Sequence, residues 1–574
     1  MKHISDKDHT INKRLHKLYP PEVADRAVDS IIDLIFKYKS RIQSKPYQLS
    51  EKDVILITYG DQVNKDYEPS LQTLKGFMDK HLKGIINSVH ILPFYPYSSD
   101  DGFSVVNYGA VDPKMGSWRE IEQISGDYRL MVDGVINHIS QFSDWFKAFL
   151  ADDPYFQDFF TEVDPSVDLS KVVRPRALPL LSEFTDANGK IRHVWTTFSK
   201  DQVDLNYKSH RVLRNVLDAL FYYVEKGATL IRLDAIAFIW KEIGTECVHL
   251  EQTHELIQLM REVLHEVAPE VIIITETNVP HHENVSYFGS GSDEAQMVYN
   301  FALPPLLVHS ILNKNTETLM GWAKTLTLPS DKVCFFNFTA SHDGIGLRPV
   351  KGILTDAEVN YVGDVVKSHG GLVSYKTDAD GSQSPYELNC SYMDALTHPD
   401  EEDEIRYKRM FLAQVTVLAM PGVPGVYFHS LVGSRNYHDG VKHSGVNRTI
   451  NREKYHIDWL EKELGTQGSL SKKMLDSYKR IISIRVNEPA FNPFGKFEFL
   501  DLGTSLFVVD QHCMHQKERI VALHNFSDTN ITCELPETIA FPLTNILISG
   551  SESKITSSSI TLEPFQILWL KGEL

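Results

Sequence analysis

Eight short apolar runs, most of them separated by amphipathic helical patterns, constrain this chain more than any other feature. They fall at 53–58, 88–93, 129–135, 229–233, 271–275, 296–300, 333–338 and 425–429. Continuous apolar runs of this length suit strands buried on both faces. Two intervening helices are plain in the pattern. Over 209–226, Val212, Leu213, Val216, Leu217, Leu220, Phe221 and Val224 share one face, and Gly227 is the stop signal. Over 251–267, Leu256, Leu259, Met260, Val263, Leu264 and Val267 do the same ahead of Pro269. Eight strands with helices between them predict an α/β fold, a (β/α)8 barrel in preference to an open sheet.

Three of the runs lead into carboxylates: Asp234 after Thr-Leu-Ile-Arg-Leu, Glu276 after Val-Ile-Ile-Ile-Thr, and Asp343 in the segment following 333–338. In a parallel barrel the strand ends converge on one face. Two converging carboxylates can break a glycosidic bond, one as nucleophile and one as acid/base. A single Asp at a strand end is more often a cap or turn residue, so the set carries the reading and no member alone does.

The 574 residues suffice for a barrel with additional domains. Residues 139–208 form a connection too long for a plain loop and read, without helical period, as an inserted domain over the barrel mouth. A second excursion lies at about 350–400, with a polar stretch at 376–385. After about 490 the texture becomes short alternating strands, at 496–501, 505–510, 519–524, 543–548 and 565–570. The expected division is a barrel of 1–138 and 209–490, an insert of 139–208, and a C-terminal all-β domain of 491–574.

With 58 basic and 76 acidic residues the net charge is −18, which argues against nucleic acid or anionic membrane as a partner. An anionic substrate therefore needs a local cationic pocket. Five scattered cysteines without metal-ligand spacing read as buried free thiols of a reducing compartment. No apolar core follows the N-terminal Met-Lys-His-Ile-Ser, and the apolar stretch at about 410–431 is broken by Gln414, Thr416, Pro421 and Pro424. The expectation is a cytoplasmic protein, monomer or homodimer, with no membrane association.

Four motifs fall in register with the strands: Asp-Gly-Val-Ile-Asn-His (133–138), Ile-Arg-Leu-Asp-Ala (231–235), Thr-Glu-Thr-Asn (275–278) and Ser-His-Asp-Gly (341–344). In this order they resemble the α-amylase superfamily, glycoside hydrolase family 13. Leu-Pro-Phe-Tyr-Pro-Tyr-Ser-Ser-Asp-Asp-Gly-Phe (92–103), Pro-Gly-Val-Pro-Gly-Val-Tyr (421–427) and Asn-Arg-Thr-Ile-Asn-Arg (447–452) resemble its sucrose phosphorylase group. Ser-Ser-Asp-Asp-Gly-Phe, Thr-Glu-Thr-Asn-Val-Pro-His and Gly-Ser-Arg-Asn-Tyr are most similar to the branch acting on glucosylglycerate.

The resemblance implies double displacement with retention, Asp234 as nucleophile, Glu276 as acid/base and Asp343 on the sugar hydroxyls. In retaining enzymes the two working carboxyl groups lie roughly 5 Å apart. Arg232, on the same strand face as Asp234, is expected to keep it ionised. His138 and His342 carry over as donors to the glucosyl unit, Phe103 as a stacking platform, and Asp100 with Arg448 as its far clamp; Asp101 competes for the place of Asp100, and the Asp100–Arg448 pair could instead only tie two loops together.

The implied partners are a small glucoside and inorganic phosphate, with no metal, nucleotide or other cofactor. Arg174 and Arg176 are the candidates for phosphate, Arg176 matching the family's position. Lys241, His281, His282 and Arg435 are candidates for a glycerate carboxylate. Phe238, Tyr386 and Glu387 complete the expected substrate-binding set; Phe238, Glu387 and Asn278 replace a Tyr, a Gln and a His of sucrose phosphorylase. An acidic Glu387 would disfavour an anion beside it. The expected activity is phosphorolysis of 2-O-α-D-glucosylglycerate. Alternatives are a phosphorylase for sucrose, sucrose 6-phosphate or glucosylglycerol, a hydrolase or transglucosylase, and a non-catalytic sugar-binding barrel.

Overall fold

The computed structural model describes residues 6–175, 178–377, 383–548 and 554–574. Eight parallel strands close into a barrel: β1 (Ile55–Thr58), β2 (Ser88–Ile91), β3 (Arg129–Gly134), β4 (Ala228–Leu233), β5 (Ile272–Thr275), β6 (Met297–Tyr299), β7 (Cys334–Asn337) and β8 (Val423–Tyr427). Closure is made by β1, which pairs with β2 (Ile55 opposite Ser88) and with β8 (Ile55 opposite Gly425). β1, β2, β5 and β7 are buried at every position, as the continuous apolar runs require.

The expected helices occupy His210–Glu225 and Glu251–Val267, with their apolar residues facing the core. Two helices that the sequence reading did not single out, Asp6–Leu18 and Pro21–Lys39, lie against them. Arg14 reaches Glu262 at 2.8 Å, and Lys37 reaches Asp218 at 2.7 Å. The eighth strand begins two residues earlier than expected. Its start is fixed where Gly422 passes so close to β7 that a Cβ would lie 2.3 Å from the Phe335 carbonyl oxygen. Phe428 and His429, read as strand, turn instead into the short helix Phe428–Leu431.

The segment after β3 holds an antiparallel ribbon (His138–Ser140 with Gln202–Asp204), a hairpin (Leu181–Thr185 with Ile191–Trp195) and the helix Asp144–Leu150. That helix escapes periodicity because it is seven residues long; Ser143, whose hydroxyl accepts from Phe146 N–H, caps it. Val163, Val172, Leu180 and Trp195 form a small core there, shared with Cys247 beyond β4. In the second excursion, Leu372–Thr377 and Gln383–Asn389 pair with Ile345–Gly346 in a three-stranded sheet.

The C-terminal strands make a six-stranded sheet and a separate ribbon, Ile531–Glu534 with Ser559–Leu562, over their own core. All five cysteines are unpaired, and among the described residues no helix is long and apolar enough to cross a membrane.

Candidate active site

The barrel's own hydrogen-bond ladder sets the two central carboxylates. Asp234 directly follows β4 and its N–H donates to the Gly134 carbonyl at 3.1 Å; Glu276 directly follows β5 and its N–H donates to Leu233 at 3.2 Å. Both side chains therefore rise from adjacent strand ends into one cavity of about 350 Å³, within the size range of small-ligand pockets.

Beneath them lies Arg232, 2% exposed. Its Nη1 donates to Asp133 of β3 and, at 2.8 Å, to Asp234, while Nη2 stands 3.8 Å from Glu276. One guanidinium thus faces both carboxylates. The sequence predicts that it keeps Asp234 ionised. The structure shows it divided with Asp133, and burial, with Glu276, Asp133 and Asp343 nearby, pushes Asp234 well above the ordinary carboxylate range despite Arg232. Burial pushes Glu276 up as well. Two buried carboxylates around one shared cation titrate as a pair.

A strained backbone orients Glu276. Ala235 sits at φ 50°, where a side chain is disfavoured, and this turns its N–H onto Glu276 Oε2 at 3.0 Å. The loop after β2 is strained in the same way, with Asp100 and Asp101 at φ 52° and 50°. Gly102 follows at φ 111°, where a Cβ would lie 2.6 Å from the Pro93 carbonyl oxygen. This twist presents Asp100 to the cavity, where it accepts from Gln202 Nε2 at 3.2 Å. Asp101 is not among the lining residues described; it lies 3.9 Å from Arg452 and 3.6 Å from Lys454.

Asp343 accepts from Arg448 Nη1 at 2.5 Å, with Arg452 3.9 Å away. Burial acts to raise it, but Arg448, His342 and the other arginines hold it well below the ordinary value. Arg448 also grips Glu387 at two points, Nε to Oε1 at 3.1 Å and Nη2 to Oε2 at 2.7 Å. Its hydrogen-bonded partners are thus Asp343 and Glu387, and it interacts with Asp100 through charge.

The histidines are neutral groups here. Burial lowers His138 to about 4 and His342 to about 3. His138 is engaged at both nitrogens: Nε2 lies 3.0 Å from the Phe103 carbonyl and Nδ1 lies 3.3 Å from Asn137 Nδ2. Donation from His138 to a sugar therefore requires exchange of the Phe103 bond. His342 keeps a buried, unbonded Nδ1. Phe103 stacks on His342 with ring centroids 4.5 Å apart and planes at 7°, so one face of the expected sugar platform is already covered.

Phe238 and Tyr386 also line the cavity, Phe238 packing edge-on against Phe198 at 5.6 Å. The structure thus gathers Asp234, Glu276, Asp343, Asp100, Phe103, His138, His342, Arg448, Phe238, Tyr386 and Glu387 around one space, with Arg232 below. Arg176 lies outside the described residues. Arg174 is on the rim, its guanidinium donating to the Leu178 carbonyl.

The four expected carboxylate partners are elsewhere. Lys241 is buried against Asp204 at 2.8 Å, Arg435 pairs with Asp394 at 2.5 Å, His281 packs against Trp322 at 5.6 Å, and His282 projects outward. The cavity lining also carries Gln202, beside Asp100, and Asn278, Arg348 and Lys351. Of these, sequence reasoning had marked Asn278 alone. The available signal for Arg348 and Lys351 was their place just beyond Ser-His-Asp-Gly-Ile-Gly.

Known proteins resemble this chain in sequence and fold. The family described as alpha amylase, catalytic domain, matches residues 58–335. A glucosylglycerate phosphorylase of Escherichia coli (strain K12) is 44% identical over 534 residues, 92% of this chain and 93% of the relative. Another, of Allomeiothermus silvanus, is 51% identical over 446 residues, 77% of this chain and 80% of the relative. The crystal structure of sucrose 6F-phosphate phosphorylase from Thermoanaerobacter thermosaccharolyticum shares the fold with a TM-score of 0.73 at 24% identity, over 86% of this chain and 98% of that one. The chain belongs to the α-amylase family.

Proposed function

We propose that the protein is a retaining glucoside phosphorylase that converts 2-O-α-D-glucosylglycerate and phosphate to α-D-glucose 1-phosphate and glycerate. The observation that carries this reading is the pair Asp234 and Glu276 on adjacent strand ends above one guanidinium, in a chain whose relatives bear that name. The direct hydrogen bond from Arg232 falls on Asp234 and favours its ionised form against burial, so on this reading Glu276 carries the proton. An Asp234 oxygen attacks the anomeric carbon, the bond to the glycerate oxygen breaks, and Glu276 delivers its proton to that oxygen. In the second step a hydrogen phosphate oxygen attacks the same carbon, the bond to Asp234 breaks, and the phosphate's proton returns to Glu276.

Asp343, ionised by Arg448, binds the 2- and 3-hydroxyls, whose hydrogen bonds strengthen as charge develops on the ring. Asp100 binds the far side of the glucosyl unit. The anticipated conflict between Glu387 and an anionic acceptor is offset by the two-point pairing of Glu387 with Arg448. Arg176, by its family position, is assigned to phosphate. The test is release of glucose 1-phosphate from glucosylglycerate, glucosylglycerol, sucrose and sucrose 6-phosphate, each with and without phosphate. Phosphate-dependent release from glucosylglycerate is the expected result, whereas free glucose at a phosphate-independent rate would identify a hydrolase.

A further inference from the structure

The arginines around the carboxylates are committed to partners: Arg232 to Asp133 and Asp234, Arg448 to Asp343 and Glu387, and Arg452 to the His342 carbonyl at 2.8 Å. Arg348 is different. It opens the turn Arg348–Val350, lines the cavity and is half-buried, yet among the described residues its guanidinium has neither a hydrogen bond nor an ion pair. Burial holds it below the ordinary arginine value, and the acidic groups facing it are Glu283 and Glu246. Glu283 already engages His249 at 3.0 Å. A cation kept partly out of water without a partner is unfavourable unless a ligand supplies one.

A second orphan shares its wall. Among the described residues the carboxamide oxygen of Asn278 is buried without a hydrogen-bond partner. The amide lies where Gly346, two residues before Arg348, leaves room for it: a Cβ on Gly346 would come within 2.6 Å of its atoms. Lys351, exposed at the rim of the same wall, adds a further positive charge without an ion-pair partner among the described residues. The wall therefore offers a cationic fork and an acceptor looking for a hydroxyl. A small hydroxy-carboxylate such as the glycerate unit, with one carboxylate and one free hydroxyl, complements both.

We propose that Arg348 is the specificity-determining anchor of the acceptor side, taking the carboxylate of the glycerate unit, with Asn278 accepting from its free hydroxyl and Lys351 closing the rim. This rests on the reading given under Proposed function. The clamp explains how a chain of net charge −18 holds an anionic acceptor near its carboxylates.

The experiment uses α-glucosyl fluoride as donor, without phosphate, and compares transfer to glycerate with transfer to glycerol. Wild type should favour glycerate. In Arg348→Ala the glycerate-to-glycerol ratio of kcat/KM should fall at least tenfold, and Arg348→Lys should retain an intermediate ratio. The melting temperature of Arg348→Ala should equal or exceed that of wild type, because removing an unpartnered, desolvated guanidinium relieves the fold. An unchanged ratio overturns the proposal. So does a collapse in melting temperature, which would make Arg348 structural, or, in a second arm with phosphate as the acceptor, a defect confined to the KM for phosphate. Wild type that transfers to glycerol but not to glycerate would refute the glycerate reading itself.

Discussion

Arg448 and Glu387 meet in a two-point contact of 3.1 and 2.7 Å, and the same guanidinium holds Asp343 from its third nitrogen. Glu387 is 2% exposed and Arg448 is partly exposed, and the pair joins the 383–389 strand to the Asn447–Asn451 turn that also holds Asp343. Breaking such a pair by removing one partner destabilises by about 3 kcal/mol. Glu387→Ala should lower the urea midpoint accordingly and weaken glucoside phosphorolysis through a misplaced Asp343. Wild-type stability in that variant would mean that the contact holds nothing in place.

Asp234→Asn should abolish turnover of the natural glucoside by at least about 10⁴-fold, the scale of losing a group that acts as part of a unit. The folded-state value of Asp234 lies above its ordinary one, so the ionised form opposes folding above that ordinary value and the opposition fades as pH falls through the raised value. The amide removes this opposition. At pH 7 the variant should melt at or above the wild-type temperature, and a clear drop would assign Asp234 a structural part.

Glu276 must carry a proton to release the acceptor, and burial raises its value. Phosphorolysis should therefore fall on the alkaline side at a pH above the ordinary carboxylate range. Neither His138 nor His342, at about 4 and about 3, titrates near pH 6.5, so neither supplies a limb there. Glu276→Gln, assayed with glucosyl fluoride, should keep substantial activity and lose the alkaline limb. Persistence of the limb would assign it to another group.

Two glycines separate stability from specificity. A Cβ on Gly344 would meet Glu387 Cγ at 2.5 Å and the Leu388 carbonyl oxygen at 2.6 Å, and backbone cannot step aside. Gly344→Ala should destabilise by about 2 kcal/mol, typical of overpacking. At Gly346 the obstacle is the end of the Asn278 side chain, which can swing away. Gly346→Ala should stay within about 1 kcal/mol of wild type by the same scale while losing acceptor affinity. Equal destabilisation by both substitutions would contradict the distinction.

The strands and the carboxylates are legible because each is written locally: an apolar run, then an acidic residue at its end. Asp234 and Glu276 need no knowledge of distant chain to be placed on one face. Arg348 is not legible that way. Its position follows from the pairing of Ile345–Gly346 with residues 387 and 388, a contact between segments some 40 residues apart that no pattern announces. Lys241 misled for the converse reason, because Asp204, brought close by the ribbon after β3, claims its charge. In the C-terminal region the ribbon strand Ile531–Glu534 is four residues long, too brief for alternation to stand out.

The carboxylates proposed to cleave the bond stand at the ends of barrel strands, while Tyr386 and Glu387 belong to the later excursion and Arg348 to the turn before it. Inheritance can act on the two separately. On the proposed reading, a lineage that rewrites the turn of Arg348 and the excursion around a retained Glu387 exchanges the leaving group it recognises and keeps the carboxylates of glucosyl transfer in place. Substrate diversification in this architecture is then a matter of editing one hairpin and its turn, with the barrel as the unchanging part.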